Sequence, residues 1–215
     1  GNSATLMKLD ANSRVFPSTR GLGSSNTAFG KFALDNDEAG SNFNVAIGET
    51  AMGSGTLDDA TYNTAIGYTA LESITTGDEN TAIGGNSLDA LVSGTRNTAL
   101  GYNSATALGV GEIGNTSIGW KSMSTMDAGS GGTIQYNIAL GAQALSGADL
   151  GSGTEVISHN IAIGTDALRL VSGDAQLGTI AIGKVALNAM TSGTQNIAIG
   201  YEALTSDAIG TGSTS

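Results

Sequence analysis

The sequence predicts an all-β fold, a parallel β-solenoid of about ten coils, on three observations: a short motif recurring ten times, a period near 17 residues, and few large side chains. Glycine fills 33 of the 215 positions, about twice ordinary usage. One tryptophan, five tyrosines and four phenylalanines are too few to anchor one compact nucleus, so burial must be spread along the chain.

The motif is a pentapeptide close to N-T-A-I-G, and its asparagine is counted here as position 1. It opens at Asn26, Asn44, Asn63, Asn80, Asn97, Asn115, Asn137, Asn160, Thr179 and Asn196. Every copy closes on a glycine, and the steps between closing glycines are 18, 19, 17, 17, 18, 22, 23, 19 and 17 residues. Position 2 is Thr, Val or Ile and position 4 is Phe, Ile or Leu, which are strand residues. Side chains alternate across a strand, so positions 2 and 4 share a bulky face while positions 1, 3 and 5 share a small one.

Position 8 is Ala or Ser, and position 9 is Leu or Met in nine of the ten units, as in Ala70-Leu71 and Ala203-Leu204, with Ala105 the exception. This is a second apolar rib. Several units add Ile74, Leu91, Val171 or Met190 before a turn at Gly77, Gly94, Gly173 or Gly193. That spacing suits one helical turn with a glycine cap or an irregular strand, and the extended form is expected. A 17-residue coil cannot bury both ribs alone, so coils must stack about 4.8 Å apart, ten of them making a rod of roughly 50 Å. Leucine-rich repeats need at least about 20 residues, helical repeats more than about 30, and collagen a glycine at every third position. A disordered linker would not hold Ile or Leu in register ten times.

On this reading the bulky face turns inward, and Ile66, Ile83, Ile163 and Ile182 are expected to be buried between the ribs. The small face is then open to another chain. Its position 3 column, including Ala65, Ala82, Ala99, Ala139, Ala162, Ala181 and Ala198, is the expected oligomer interface. Residues 1–25 form a lead-in, 26–204 the solenoid of ten repeats, and 205–215 a tail or truncated coil in which Ala208–Gly210 echoes the motif.

Eight Lys and Arg against 19 Asp and Glu give a net charge of −11, which repels nucleic acid and anionic membrane surfaces. No apolar run approaches the roughly 20 residues that cross a bilayer, and the first residues lack a secretory-signal layout, so no membrane insertion is expected. The absence of cysteine removes disulfides and thiolate metal sites while leaving both cytoplasmic and extracellular settings open.

N-T-A-I-G-Y-T-A-L at 63–71, N-T-A-I-G-G-N-S-L at 80–88 and N-I-A-I-G-Y-E-A-L at 196–204 resemble the head repeats of YadA-like trimeric autotransporter adhesins. They resemble still more the repeat arrays in tail-fibre and other structural proteins of marine bacteriophages. L-D-A-N-S-R-V-F at 9–16 and S-S-N-T-A-F-G-K at 24–31 resemble the lead-in to such arrays. The resemblance spans nearly the whole chain, although the unit is longer than in the adhesin heads. It implies a left-handed parallel β-roll, assembly as a homotrimer, and a role in attachment.

The asparagine column is expected to form an amide ladder, each side chain bonding to its neighbour or to turn backbone. Only Asn115-Thr116-Ser117 matches the glycosylation signal. His159 is the one histidine, beside Ser158, and adjacent residues in an extended segment point to opposite faces. A coil-edge histidine is expected there, and no catalytic residue is assigned. The carboxylates at Asp35, Asp37 and Glu38, at Asp58 and Asp59, and at Asp78 and Glu79 lie near turns and read as solvated edges. Neither an EF-hand loop nor the calcium nonapeptide is present, so no metal or cofactor is assigned.

Aromatic residues mark both ends of the motif. Tyr68, Tyr102, Trp120 and Tyr201 follow closing glycines, whereas Phe43, Tyr62, Tyr136 and His159 directly precede motifs. They either cover the ends of a thin core or recognise sugar or protein, and Tyr68, Tyr102, Trp120, Tyr136 and His159 are the recognition candidates. The two long steps add material at Asp127–Tyr136 and Ser146–His159, expected as corner loops that are either tolerated expansions or a binding face.

These readings converge on a non-enzymatic structural or adhesive fibre segment, a phage tail fibre or other virion appendage. Its partner would be a host cell-surface glycan or protein, and its place the virion surface or the extracellular space. The rivals are a self-assembling extracellular filament subunit and a bacterial trimeric adhesin head. A polysaccharide-cleaving enzyme is disfavoured by the single histidine and the scattered carboxylates.

Overall fold

The computed structural model describes residues 15–17, 25–35, 40–126, 132–147, 156–169, 176–188 and 194–205. Within them the chain is all-β, without a helix, wound as a parallel β-solenoid of about eight turns. The strands are β1 Val15–Pro17, β2 Thr27–Phe29, β3 Val45–Ile47, β4 Thr64–Ile66, β5 Thr81–Ile83, β6 Thr98–Leu100, β7 Thr116–Ile118, β8 Thr133–Gln135, β9 Ile138–Leu140, β10 Val156–Ser158, β11 Ile161–Ile163, β12 Gln176–Leu177, β13 Ile180–Ile182 and β14 Ile197–Ile199. The main sheet runs β1-β2-β3-β4-β5-β6-β7-β9-β11-β13-β14. From β2 onward each strand is the central triplet of one motif, pairing parallel and like on like: Thr64 with Thr81, Ala65 with Ala82, Ile66 with Ile83. β1 instead lies antiparallel on the edge of β2, Val15 opposite Phe29.

The strand faces are the reverse of the expectation from the sequence. Ala65, Ala82, Ala99, Ala139, Ala162, Ala181 and Ala198 point into the coil and have no exposed surface, so they are packing residues of a single chain and leave nothing for a second chain to touch. Ile66, Ile83, Ile163 and Ile182 stand on the outer face, only half-buried. Volume explains the reversal. The second rib already fills the narrow interior with Met52, Leu71, Leu88, Met123 and Leu145, all fully buried. A large side chain must face a small one at native packing density, so the strand supplies alanine inward and sends its Ile and Leu outward.

That second rib is neither the helical turn nor the extended segment suggested by its spacing. Positions 7 and 9 both take the left-handed conformation, as at Thr69 and Leu71 (φ 52° and 51°) and Asn86 and Leu88 (φ 54° and 51°). The residue before each motif does the same, as at Tyr62 and Glu79, and Gly114 and Gly178 occupy that place in two units. Left-handed backbone costs an ordinary residue roughly 1–2 kcal/mol. Hydrogen bonds to both neighbouring coils offset it: Asn86 donates its N–H back to the Tyr68 carbonyl at 2.8 Å, and Leu88 donates forward to Ser104 at 3.1 Å.

The closing glycine has a sharper reason. Gly67 sits at φ 142°, and a Cβ there would lie 2.4 Å from the Gly84 carbonyl oxygen. The same crowding recurs at the closing glycines from Gly30 to Gly183, where no side chain fits, while Gly200 at the end of the stack meets no atom nearer than 4.0 Å and keeps only the positive φ of 138°.

The asparagine ladder forms inside the coils as expected. It also removes the glycosylation signal from play: Asn115 is buried, its side-chain nitrogen donates to the Ile134 carbonyl at 2.8 Å, and its oxygen accepts the Asn137 N–H at 3.2 Å. Ser117 takes the alanine place in its strand and joins a buried hydroxyl cluster with Ser104, 2.8 Å away, and Ser122.

The long steps are not wholly loops. Their described parts contribute β8 and β10, which pair in parallel with Ile134 opposite Ile157 and, with β12, form a second sheet of three strands. Both isoleucines are fully buried. Residues 127–131 and 148–155 of these steps, like Val171, Met190 and Ala208–Gly210, lie outside the described residues.

Candidate functional site

Two surfaces and one groove stand out. The first surface is the outer face of the main sheet, made by positions 2 and 4. Position 2 runs Thr or Val from Thr27 to Thr116 and then Ile138, Ile161, Ile180 and Ile197, while position 4 runs from Phe29 to Ile199. No member of either column is charged, although 13% of the sequence is Asp, Glu, Lys or Arg. Ile47, Leu100 and Ile199 are 36%, 43% and 60% exposed, so this apolar face meets solvent in the single chain.

The second surface is the pair of edges flanking that face. The recognition candidates divide between them. Tyr68, Tyr102 and Trp120 lie on the edge after the strands, whereas Tyr136 and His159 lie on the edge before them. Tyr136 and His159 are brought together, their ring centroids 5.3 Å apart, and the Tyr136 ring lies against Gly114. On the same edge Phe43 stacks on Tyr62 at 5.0 Å, and Arg96 pairs with Glu79 at 3.9 Å. On the other edge the Tyr102 ring lies over Gly85, and the Lys121 ammonium sits 5.0 Å from the Trp120 ring centre. On the edge before the strands these side chains belong to the left-handed residue that precedes each motif, and the pairs Phe43–Tyr62, Glu79–Arg96 and Tyr136–His159 meet between successive coils.

The carboxylates serve local structure where the structure describes them. Asp78 accepts the Thr61 N–H at 2.7 Å and the Thr61 hydroxyl at 2.8 Å, tying one turn to the next. Among the described residues no group of three His, Cys, Asp or Glu side chains converges as a metal site. The phenol of Tyr201 is raised above its ordinary pKa by its hydrogen bond to the Glu202 carboxylate and by that group's charge.

The groove lies past the glycine corner from the apolar face and has a volume of about 380 Å³. Lys121 and Arg169 supply its two cations, and Asn103 and Gln143 its two amides. The hydroxyls of Thr106, Ser124, Thr125 and Ser146 complete the polar wall together with Gly147. The Thr106 hydroxyl donates to the Ser124 carbonyl at 2.6 Å and Thr125 donates to the Gly147 carbonyl, which fixes that wall. Arg169 bonds Asp166 at 3.2 Å through one nitrogen.

No family model, no curated protein and no solved structure matches the chain.

Sequence reasoning passed over this groove because its residues belong to four different units. A signal was present in the position 10 column. That column holds Asp35, Glu72 and Asp89 in early units and then Thr106, Ser124, Ser146 and Arg169, so its acids stop where the groove begins.

Proposed function

We propose that this chain is a segment of a non-enzymatic attachment fibre, a phage tail fibre or comparable virion appendage, in which the ten repeats form ten left-handed coils and three chains assemble side by side. The observation that carries this reading is the outer face of the main sheet: uncharged at every position 2 and 4, largely aliphatic from Ile138 onward, and half-exposed in one chain. A continuous face of that kind marks an association surface, and a second and third copy of the same chain present a matching face in matching register. β1 supports a side-by-side fibre over end-to-end filament growth, because it lies on the β2 edge that a further coil would need. The coil edges and the groove then remain free to meet a host cell-surface glycan or protein.

The test is the native mass of the chain and of Ile163→Glu, which places a charge on the outer face without touching the interior. Three chains are expected for the parent and one for the variant, with the β-sheet circular dichroism of both alike. A parent mass of one chain overturns the proposal.

A further inference from the structure

We propose that the groove between Asn103 and Arg169 binds an anionic oligosaccharide, with Lys121 and Arg169 holding its carboxylate or sulfate groups. The inference deepens the attachment reading above and rests on it for its biological setting. Its chemistry stands on the groove alone.

In a chain of net charge −11 with 19 acidic residues, the groove wall holds, among the described residues, no carboxylate and two of the eight basic side chains. Lys121 forms no ion pair among the described residues, and Arg169 has one nitrogen engaged by Asp166 and the rest of its guanidinium available. The amide oxygen of Asn103 is occupied by the Asn86 side-chain nitrogen at 3.0 Å, which leaves the Asn103 nitrogen as a donor. Donors therefore dominate, as an anion surrounded by hydroxyl groups requires.

Shape selects an oligosaccharide over a single small anion. The groove crosses the units of Asn103, Lys121, Gln143 and Arg169, three coil spacings or roughly 15 Å. Asn103, Lys121 and Gln143 hold position 7 of three successive coils, a spacing close to the rise of one ring in an extended sugar chain, and Arg169 enters from position 10 of the fourth, where position 7 is its partner Asp166. Trp120, half-exposed beside Lys121, offers an aromatic rim of the kind on which sugar rings pack.

The full chain is titrated by calorimetry with a galacturonate tetramer, a sulfated tetramer of the same length and a neutral glucan tetramer, each at low and high salt. One or both anionic tetramers are expected to bind, at least about tenfold more tightly than the neutral one and more weakly as salt rises. The tighter of the two identifies carboxylate or sulfate as the natural charge. Lys121→Gln and the Lys121→Gln, Arg169→Gln pair are expected to lose about tenfold or more in affinity with native mass and melting temperature unchanged, whereas Lys31→Gln, distant along the rod, leaves binding intact. No binding of either anionic tetramer, equal binding of the neutral one, or unaltered affinity in the double variant overturns the proposal. An oligomeric chain that fails to bind overturns the groove and leaves the fibre standing; a monomeric chain that binds does the reverse.

Discussion

Asn80 donates its backbone N–H to the side-chain oxygen of Asn63 at 2.9 Å, and its own side-chain nitrogen reaches the same oxygen at 3.1 Å. That nitrogen also donates to the Gly94 carbonyl at 2.8 Å, while the Asn80 oxygen receives the Asn97 N–H at 2.9 Å. One planar group thus accepts from the next coil and donates to both, which only an amide does at this length. Thr179 shows the contrast: its N–H still reaches the Asn160 oxygen at 2.9 Å, but its buried hydroxyl has no partner.

Asn80→Ala is expected to cost about 2–5 kcal/mol, because it leaves the buried Asn97 N–H and Gly94 carbonyl without their partner. Thr179→Asn, which restores a rung, is expected to add about 1 kcal/mol. Urea unfolding at one fixed protein concentration measures both. A loss below about 0.5 kcal/mol for Asn80→Ala would mean that the ladder is decoration.

Glycine substitutions separate crowding from composition. A Cβ at Gly84 would meet the Gly101 carbonyl oxygen at 2.4 Å with φ at 134°, so Gly84→Ala is expected to cost about 3 kcal/mol or more. Gly109 has no atom within 4 Å of the corresponding point, and Gly109→Ala is expected to change stability by less than about 0.5 kcal/mol. Equal effects at the two sites would contradict the role assigned to the closing column.

The reversed faces predict a division of labour between folding and association. Leu88 is fully buried, and Leu88→Ala should cost about 2–5 kcal/mol of folding free energy. Ile83, half-buried on the outer face, should cost about 1 kcal/mol when cut to alanine while weakening self-association. Unfolding and native-mass measurements on the same two variants read the two effects apart. The inward assignment of position 3 fails if Ile83→Ala proves the more damaging to folding.

The face error has a plain physical origin. Alternation in N-T-A-I-G states which residues share a face, and the sequence thereby shows the period, the parallel like-on-like pairing and the asparagine ladder. It does not state which face is inside. That is decided by how much room the second rib leaves, and the left-handed backbone that turns Leu71 and Leu88 into the interior has no marker in a leucine. The groove was hidden for a related reason: Asn103, Lys121, Gln143 and Arg169 become neighbours only when four units are stacked.

Asp89 gives the pH prediction. It is the last acid of the position 10 column, half-buried, with one carboxylate oxygen lacking a partner. Burial is the foremost influence and raises its pKa above 3.8; its backbone hydrogen bonds oppose the rise, and the Glu72 charge adds to it. An acid with a raised pKa in the folded state binds its proton more tightly folded than unfolded, so ionisation works against folding. Its contribution is favourable in full below the unfolded value of 3.8 and is lost as pH rises through the folded pKa. Asp89→Asn, which cannot ionise, is therefore expected to be more stable than the parent at neutral pH and to lose that advantage at pH values below 3.8. Glu72→Gln should give a smaller gain with the same pH trend, since the Glu72 charge is the least of the influences on Asp89. Urea midpoints for the three proteins across this range decide the matter: an advantage of Asp89→Asn that persists undiminished in acid would come from packing or hydrogen bonding rather than from the charge.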